Sequence, residues 1–243
     1  MPTTQEEFPW HTALFNSSAG QRKYQCGGTL VNEDTVITAA HCVSTHLETV
    51  SPTYLFVVLG TDSLETNSPD ARESSVTKVI IHDGYDTWLF ENDIAILKLS
   101  TLMVYSKWIQ PICLTTNELP FESLIGVFPG WDLNEHGVQP DHLRKGSFPI
   151  RLQKECRTTS NRISPMANFV NENNFCAGFE NGTTKCRGDS GGGLVFKYEN
   201  QWFLKGVASV GVTLVENAMC DPLGLGLFTD VVKFIDWIEE NMH

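Results

Sequence analysis

Short β-rich segments, each bounded by turn residues, run through most of this 243-residue chain. Residues 24–31 and 35–38, separated by Asn32-Glu33-Asp34, give the clearest strand–turn–strand pattern. No long helical periodicity intervenes, so parallel βαβ units are disfavoured and an antiparallel all-β sandwich or barrel is predicted. The other predicted strands cover residues 54–59, 77–81, 94–99, 124–128, 194–196, 202–210 and 225–229.

One amphipathic helix is predicted at the end of the sequence, with Asp230 as its N-cap. The apolar residues of this helix recur at the spacing of one helical face, at Val231, Phe234, Ile235, Ile238 and Met242.

Residues 110–121, which carry two prolines and several polar side chains, are the expected boundary between two halves of the molecule.

Composition and charge restrict the class of protein. Apolar residues make up 41% and charged residues 19%, which is enough apolar material for a sizeable core. The longest apolar run, residues 54–59, is far too short to span a bilayer, so no transmembrane helix is predicted. A net charge of −12 argues against nucleic acid or an anionic membrane as a partner.

The seven cysteines indicate the compartment. No CxxC pair is present, so the usual signature of a metal or thioredoxin-type site is missing, and disulfides in a secreted, extracellular protein are favoured. Glycosylation sequons begin at Asn16 and Asn181 and point the same way. The first residues lack the features of a signal peptide, and we therefore expect a piece of a longer precursor.

The motif Gly188-Asp189-Ser190-Gly191-Gly192 places a serine on a glycine-rich turn. Such a turn can expose the serine Oγ and aim backbone N–H groups at one point, as an oxyanion hole requires. The motif also matches the nucleophile elbow of α/β-hydrolases, in which the aspartate and histidine follow the serine. Here His243 is the only histidine after Ser190, and no strand–helix alternation surrounds the motif, so that class is excluded.

Candidates for the acid and the base therefore lie upstream. His41 stands beside a cysteine in Thr38-Ala39-Ala40-His41-Cys42, and Asp93 precedes the apolar run Ile94-Ala95-Ile96-Leu97. A buried Asp93 could hold the imidazole in one tautomer. Taken singly, His41 could be a packed turn histidine, Asp93 a strand-capping acid and Ser190 a turn serine.

Taken together, these motifs resemble trypsin/chymotrypsin-type serine endopeptidases along nearly the whole chain. The resemblance implies one peptidase domain over residues 1–243, built from two packed antiparallel six-stranded β-barrels (residues 9–109 and 121–230) and a C-terminal helix (231–243). The matching stretches occur in the family's order: Phe8-Pro9-Trp10, Cys26-Gly27-Gly28-Thr29-Leu30, Thr38-Ala39-Ala40-His41-Cys42, Asn92-Asp93-Ile94-Ala95, Gln110-Pro111-Ile112-Cys113-Leu114, Phe175-Cys176-Ala177-Gly178 and Gly188-Asp189-Ser190-Gly191-Gly192.

The resemblance also implies roles for individual residues. Ser190 is the nucleophile, His41 the general base and then acid, and Asp93 the residue that orients His41. The backbone N–H groups of Gly188 and Ser190 form the oxyanion hole.

A specificity pocket and an activation site follow from the same resemblance. Thr184 is at the floor of the pocket, Gly211 and Gly226 are its walls, and an uncharged floor favours large apolar P1 residues. Ser209 borders the orienting aspartate. Asp189 pairs with the ammonium group that activation cleavage frees.

The resemblance pairs six cysteines as Cys26–Cys42, Cys156–Cys176 and Cys186–Cys220. Cys113 remains, and in multi-domain members the matching cysteine tethers the propeptide or an upstream module. A free buried thiol is the alternative.

Several positions depart from the family pattern. Gly193 replaces a proline, Val210 an aromatic residue and Asp132 a glycine, and none of these belongs to the triad. The mature Ile-Val-Gly-Gly-like start is absent, and the chain begins about four residues, or roughly 13 Å, short of it. We therefore expect that the Met1 ammonium does not reach Asp189, which leaves a zymogen-like state with weak turnover.

These expectations describe a secreted serine endopeptidase, made as the zymogen domain of a modular precursor in a proteolytic cascade, with no cofactor and no metal. A narrower resemblance is to arthropod modular initiator proteases. The expected partners are protein substrates such as downstream protease zymogens, serpin-type inhibitors, and upstream modules of its own precursor through Cys113. The alternative is a non-catalytic or zymogen-locked homologue that acts as a binding or regulatory module.

Overall fold

The computed structural model describes residues 1–65, 68–115, 119–121, 124–131, 138–161, 169–178, 190–211 and 225–242. Within these residues the chain is mostly β, with two six-stranded antiparallel sheets and a C-terminal helix, so the predicted fold class is confirmed. No helix in these ranges is long and apolar enough to cross a membrane.

The first sheet closes into a barrel because β1 pairs with both β2 and β4. Alternation of side chains along a strand fills its interior. On β4, Leu55, Val57 and Leu59 are fully buried, whereas Phe56 and Val58 are half-buried. The strands follow the order β1-β2-β3-β6-β5-β4 and are β1 (His11–Asn16), β2 (Lys23–Leu30), β3 (Thr35–Thr38), β4 (Leu55–Leu59), β5 (Arg72–Ile81) and β6 (Ala95–Leu99).

The second sheet curls until its two edge strands meet. Ile150, just after β8, forms a β-bridge with Ala177 of β9. The Arg151 N–H donates to the Cys176 carbonyl at 2.9 Å, and the Gly178 N–H donates to the Pro149 carbonyl at 3.1 Å. The strands follow the order β8-β7-β10-β11-β12-β9 and are β7 (Ile125–Gly130), β8 (Arg144–Pro149), β9 (Asn174–Ala177), β10 (Gly193–Tyr198), β11 (Gln201–Gly211) and β12 (Gly226–Asp230).

The second sheet has a hydrophobic cluster of its own, and it also contributes residues to the core of the first barrel. Val195, Leu204 and Val207 of β10 and β11 pack in the same cluster as the interior residues of the first barrel. The C-terminal helix joins this cluster through Ile235 and Ile238. The functional residues discussed below lie where the two sheets meet.

Two α-helices lie within the described residues, α1 (Gln153–Asn161) and α2 (Ile235–Asn241). A 3₁₀ turn, Val231–Phe234, precedes α2, so the predicted C-terminal helix begins with a tighter turn than expected. The Asp230 carboxylate accepts a hydrogen bond from the Val232 N–H at 3.2 Å, which confirms the predicted N-cap.

Sequence patterns did not predict β1, β8, β9 or α1. β8 contains Gly146 and a terminal proline, and α1 is a predominantly polar segment, so neither shows a clear apolar period. These elements form because neighbouring segments supply hydrogen-bond partners and because the disulfide Cys156–Cys176 joins α1 to β9.

Candidate active site

His41 lies in a short 3₁₀ turn, Ala40–Cys42, that follows β3 directly. A disulfide between Cys42 and Cys26 of β2, with 6.1 Å between the Cα atoms, ties this turn to the barrel. Gln25 adds a hydrogen bond from its side-chain amide to the Cys42 carbonyl. The turn is therefore anchored at Cys42, the residue that follows His41, and the His41 side chain remains 23% exposed.

Asp93 is completely buried and binds His41 twice. Its Oδ1 accepts a hydrogen bond from the His41 backbone N–H at 2.9 Å, and its Oδ2 lies 2.7 Å from Nδ1 of the imidazole. Ser209 Oγ donates a 2.5 Å hydrogen bond to the same Oδ2. This network favours the tautomer that carries its proton on Nδ1, which leaves Nε2 able to accept a proton.

The network also stabilises the charge of Asp93. Burial opposes ionisation, but the charge of His41 and the hydrogen bonds from His41 and Ser209 hold the pKa of the Asp93 carboxyl below its usual value. Thr229 Oγ1 donates to the Asp93 backbone carbonyl at 2.9 Å. The second sheet thus supplies Ser209 and Thr229 to a carboxylate that stands at the start of a first-barrel strand.

Ser190 lies half-buried in the turn before β10. Its carbonyl accepts a hydrogen bond from the Gly27 N–H at 2.8 Å, and the next residue, Gly191, donates to the Ala208 carbonyl at 2.8 Å. Gly191 has φ = +78°, and a Cβ there would lie 3.1 Å from Cys42 Sγ. The serine turn is therefore packed against the disulfide next to His41, whose Nε2 is 3.8 Å from the same sulfur.

Part of the predicted specificity pocket is described. Gly211 of β11 pairs with Gly226 of β12, so neither residue of this pair carries a side chain. Val210 is partly buried against the small cluster formed around Cys156 and Cys176. The remaining predicted residues and the departure at 132 lie outside the described residues: Asp132, Asn181, Thr184, Cys186, Gly188, Asp189, Cys220 and His243.

Three further residues named in the sequence analysis, Cys113, Asn16 and Met1, lie within the described part of the chain. Cys113 is exposed and is the free cysteine of the described residues. Its backbone is fixed beside β11, because its N–H donates to the Trp202 carbonyl at 3.2 Å and its carbonyl accepts from the Leu204 N–H at 3.1 Å. Asn16 is half-buried at the end of β1, and the Met1 ammonium donates to the Lys145 carbonyl at 2.8 Å.

Sequence reasoning missed three neighbours of the site. The Phe90 ring meets His41 edge-on, with 5.8 Å between centroids, and its backbone has φ = 51°. Tyr85 is the second neighbour, and burial and the negative charge of Asp93 raise its pKa to about 12. Thr229, which donates to the Asp93 carbonyl, is the third neighbour. Only the nearness of Phe90 to the Asn92-Asp93 motif could have signalled its role, and no local pattern marks the other two.

The side chains of Cys26, His41 and Cys42 form a cluster of the kind that can hold a metal ion, since their donor atoms lie within 4.8 Å of one another. The two cysteines are joined in a disulfide, however, and a disulfide offers no thiolate ligand. The donor set therefore does not fit a metal site.

The chain belongs to the trypsin family of serine endopeptidases, because residues 1–238 match the family described as Trypsin. This result confirms the resemblance drawn from the motifs.

Individual relatives include arthropod proteases. The chain is 34% identical over 246 residues to the proclotting enzyme of Tachypleus tridentatus, covering 97% of this chain and 63% of that protein. It is 32% identical over 257 residues to clotting factor C of the same species, covering 96% of this chain and 24% of that protein. It is 30% identical over 237 residues to trypsin-1 of Astacus astacus, covering 97% of this chain and 95% of that protein. The chain thus spans only part of the two clotting proteins.

Proposed function

We propose that this protein hydrolyses peptide bonds through a triad of Ser190, His41 and Asp93. The observation that carries the proposal is the buried Asp93 carboxylate, which binds both the backbone and the imidazole of His41. With Nδ1–H directed at Asp93, the imidazole Nε2 accepts the proton of Ser190 Oγ as that oxygen attacks the scissile carbonyl. Nε2 then returns the proton to the leaving amine, and water hydrolyses the acyl-enzyme by the same route.

The negative charge of the tetrahedral intermediate needs donors close to the nucleophile. In this proposal the backbone N–H groups of Gly188 and Ser190 supply them. Two hydrogen bonds, from Gly27 to the Ser190 carbonyl and from Gly191 to the Ala208 carbonyl, fix the peptide group between Ser190 and Gly191 and support a fixed position for the nucleophile.

The specificity pocket in this proposal accepts large apolar P1 side chains. Thr184 provides an uncharged floor, and the Gly211–Gly226 pair leaves the walls open. A buried substrate Arg or Lys would find no carboxylate there, and an unpaired buried cation costs several kcal/mol.

The biological setting is proposed from the relatives and the disulfides. A secreted zymogen domain of a larger precursor in a proteolytic cascade fits relatives named clotting factor C, proclotting enzyme and phenoloxidase-activating enzyme 1. In such a protein Asp189 receives the ammonium group released by cleavage, and Cys113 bonds to an upstream module. Protein substrates, including downstream zymogens, and serpin-type inhibitors are the proposed partners, and Asn16 and Asn181 the proposed glycosylation sites.

Labelling with a serine-directed organophosphonate, followed by peptide mapping, tests the proposal. In the protein given an Ile-Val-type start through a cleavable leader, we expect the label on Ser190, its loss in Ser190→Ala and a large decrease in His41→Ala. Ser51→Ala, at an exposed serine, is the matched control and should label normally. A folded protein that takes no label at Ser190 would contradict the proposal and favour a non-catalytic or zymogen-locked homologue.

A further inference from the structure

Thr38, the last residue of β3, is completely buried among the segments that carry the proposed triad. Along the chain it precedes His41 by three residues. Across the barrel it pairs with Ala95 of β6, which follows Asp93 by two residues. The backbone of Thr38 is therefore tied both to the turn that holds the base and to the strand that follows the acid.

The side chain of Thr38 connects to the third segment, the turn that contains Ser190. Its Oγ1 donates a hydrogen bond to the Gly27 carbonyl at 2.9 Å. The Gly27 N–H in turn donates to the Ser190 carbonyl at 2.8 Å. A single residue of β2 thus accepts from Thr38 and donates to the nucleophile, so a shift of Gly27 affects both bonds.

The Thr38 hydroxyl also packs directly against the serine turn. A Cβ added at Gly191 would overlap Thr38 Oγ1. A Cβ added at Gly27 would lie 3.0 Å from the Gly192 Cα, which is tighter than an ordinary contact. The hydroxyl, the Gly27 backbone and the serine turn are therefore packed closely, and a displacement of one is passed to the others.

We propose that Thr38 is a positioning residue that sets the place of Ser190 relative to His41. The chain that continues from Thr38 carries His41, and the hydroxyl of Thr38 holds Gly27, which holds Ser190. The inference rests on the proposed function, because the role concerns the reaction of Ser190 with His41 as its base. A misplacement of about 1 Å between reacting groups can reduce the rate about a hundredfold.

Thr12 provides a matched control for Thr38. It is completely buried in the same barrel, on β1, and its Oγ1 has no hydrogen-bond partner among the described residues. Valine has nearly the shape of threonine but lacks the hydroxyl. Thr12→Val therefore breaks no hydrogen bond within the described chain, whereas Thr38→Val takes a donor away from the buried Gly27 carbonyl.

Steady-state kinetics on an amide substrate test the proposal, with every variant given an Ile-Val-type start through a cleavable leader. Thr38→Val should lower kcat about 10-fold to 100-fold and change KM less than about twofold, because the position of the nucleophile affects the chemical step. Thr38→Ser retains the hydroxyl and should stay within about threefold of the parent. Thr12→Val should stay within about twofold.

Hydrogen exchange at the Gly27 amide gives a readout that requires no turnover. This N–H should exchange at least about tenfold faster in Thr38→Val than in the parent, because the residue that donates it is held less firmly, and Thr12→Val should not change its rate. Unfolding temperatures verify that the variants fold. If Thr38→Val does not fold, Thr38→Ala and Thr38→Ser, which differ by one hydroxyl, give the same comparison.

Four results would overturn the role of Thr38: an unchanged kcat in Thr38→Val, an equal loss in Thr12→Val, an equal loss in Thr38→Ser, or an unchanged exchange rate at Gly27. The last two measure whether the hydroxyl itself holds the turn. A parent that takes no organophosphonate label at Ser190 would instead contradict the proposed function, and the exchange rate at Gly27 would still decide whether Thr38 holds the serine turn.

Discussion

The backbone N–H and the imidazole Nδ1 of His41 contact different oxygens of the Asp93 carboxylate, at 2.9 and 2.7 Å. Two contacts from one residue to one carboxylate fix the position of the turn and the orientation of the ring together. Ser209 and Thr229 hold the aspartate from the second sheet. The orientation of the base therefore depends on the packing of the two sheets against each other.

Asp93→Asn is expected to lower kcat about 10⁴-fold with a small change in KM, because an amide no longer enforces the Nδ1–H tautomer. Ser209→Ala keeps the carboxylate and removes one hydrogen bond to it, so a loss of about 10-fold to 100-fold is expected. Steady-state kinetics of the protein given an Ile-Val-type start, on a peptide with an apolar P1 residue, measures both. An Asn variant within tenfold of the parent would contradict the role of Asp93.

His11 makes stability depend on pH. Burial lowers the pKa of His11 to about 3, and neither ring nitrogen has a hydrogen-bond partner among the described residues. The unfolded chain binds a proton below its ordinary pKa of about 6.5 while folded His11 stays neutral. The free energy of unfolding should therefore fall as pH decreases from about 6.5 towards 3, by up to ~1.4 kcal/mol per pH unit.

Urea unfolding between about pH 5 and 6.5 measures this slope above the range in which Asp93 titrates. His11→Gln should flatten the slope, whereas His142→Gln, at a histidine whose side chain is 69% exposed, should leave it unchanged. An unchanged slope in His11→Gln would show that other groups cause the pH dependence.

Gly191→Ala should destabilise the protein and reduce turnover. Gly191 has φ = +78°, and an added Cβ would lie 2.6 Å from the Gly27 carbonyl oxygen. Gly20 has a similar φ of +81° but no atom within 4 Å of an added Cβ. Gly20→Ala should therefore cost about 1–2 kcal/mol for backbone strain alone, and Gly191→Ala about 1–3 kcal/mol more for the clash. If chemical denaturation shows the same decrease in the free energy of unfolding for both variants, the serine turn is not closely packed.

Thr184→Asp is expected to shift P1 preference from large apolar residues to Arg and Lys, because it places a carboxylate at the proposed pocket floor. Profiling the parent and the variant with a peptide library measures the shift. A parent profile dominated by Arg or Lys would refute the proposed pocket. So would a variant that gains no activity towards Arg.

Cys113 should react with iodoacetamide in the native protein, or carry a mixed disulfide, because it is exposed and unpaired within the described residues. Mass spectrometry without reduction should find one such cysteine in the parent and none in Cys113→Ser. A disulfide between Cys113 and another cysteine of this chain would contradict the proposed tether.

Local motifs carried the prediction of the triad. His41, Asp93 and Ser190 each stand in a contiguous stretch whose residue types reflect the chemistry required there, and short alternating segments predict antiparallel strands without knowledge of their partners. The C-terminal helix was predictable for the same reason, because four of its five apolar positions are fully buried on one face.

Only the tertiary structure decided which distant residues complete the site. Ser209 and Thr229 reach Asp93 from strands more than a hundred residues along the chain, and Phe90 meets His41 through a loop with a left-handed backbone. A local pattern reports whether a side chain is buried but not which neighbour it meets. Strands β8 and β9 are defined by their pairing with neighbouring strands, and β9 also by the Cys156–Cys176 disulfide. Such features arise from contacts across the fold, so no single stretch of sequence encodes them.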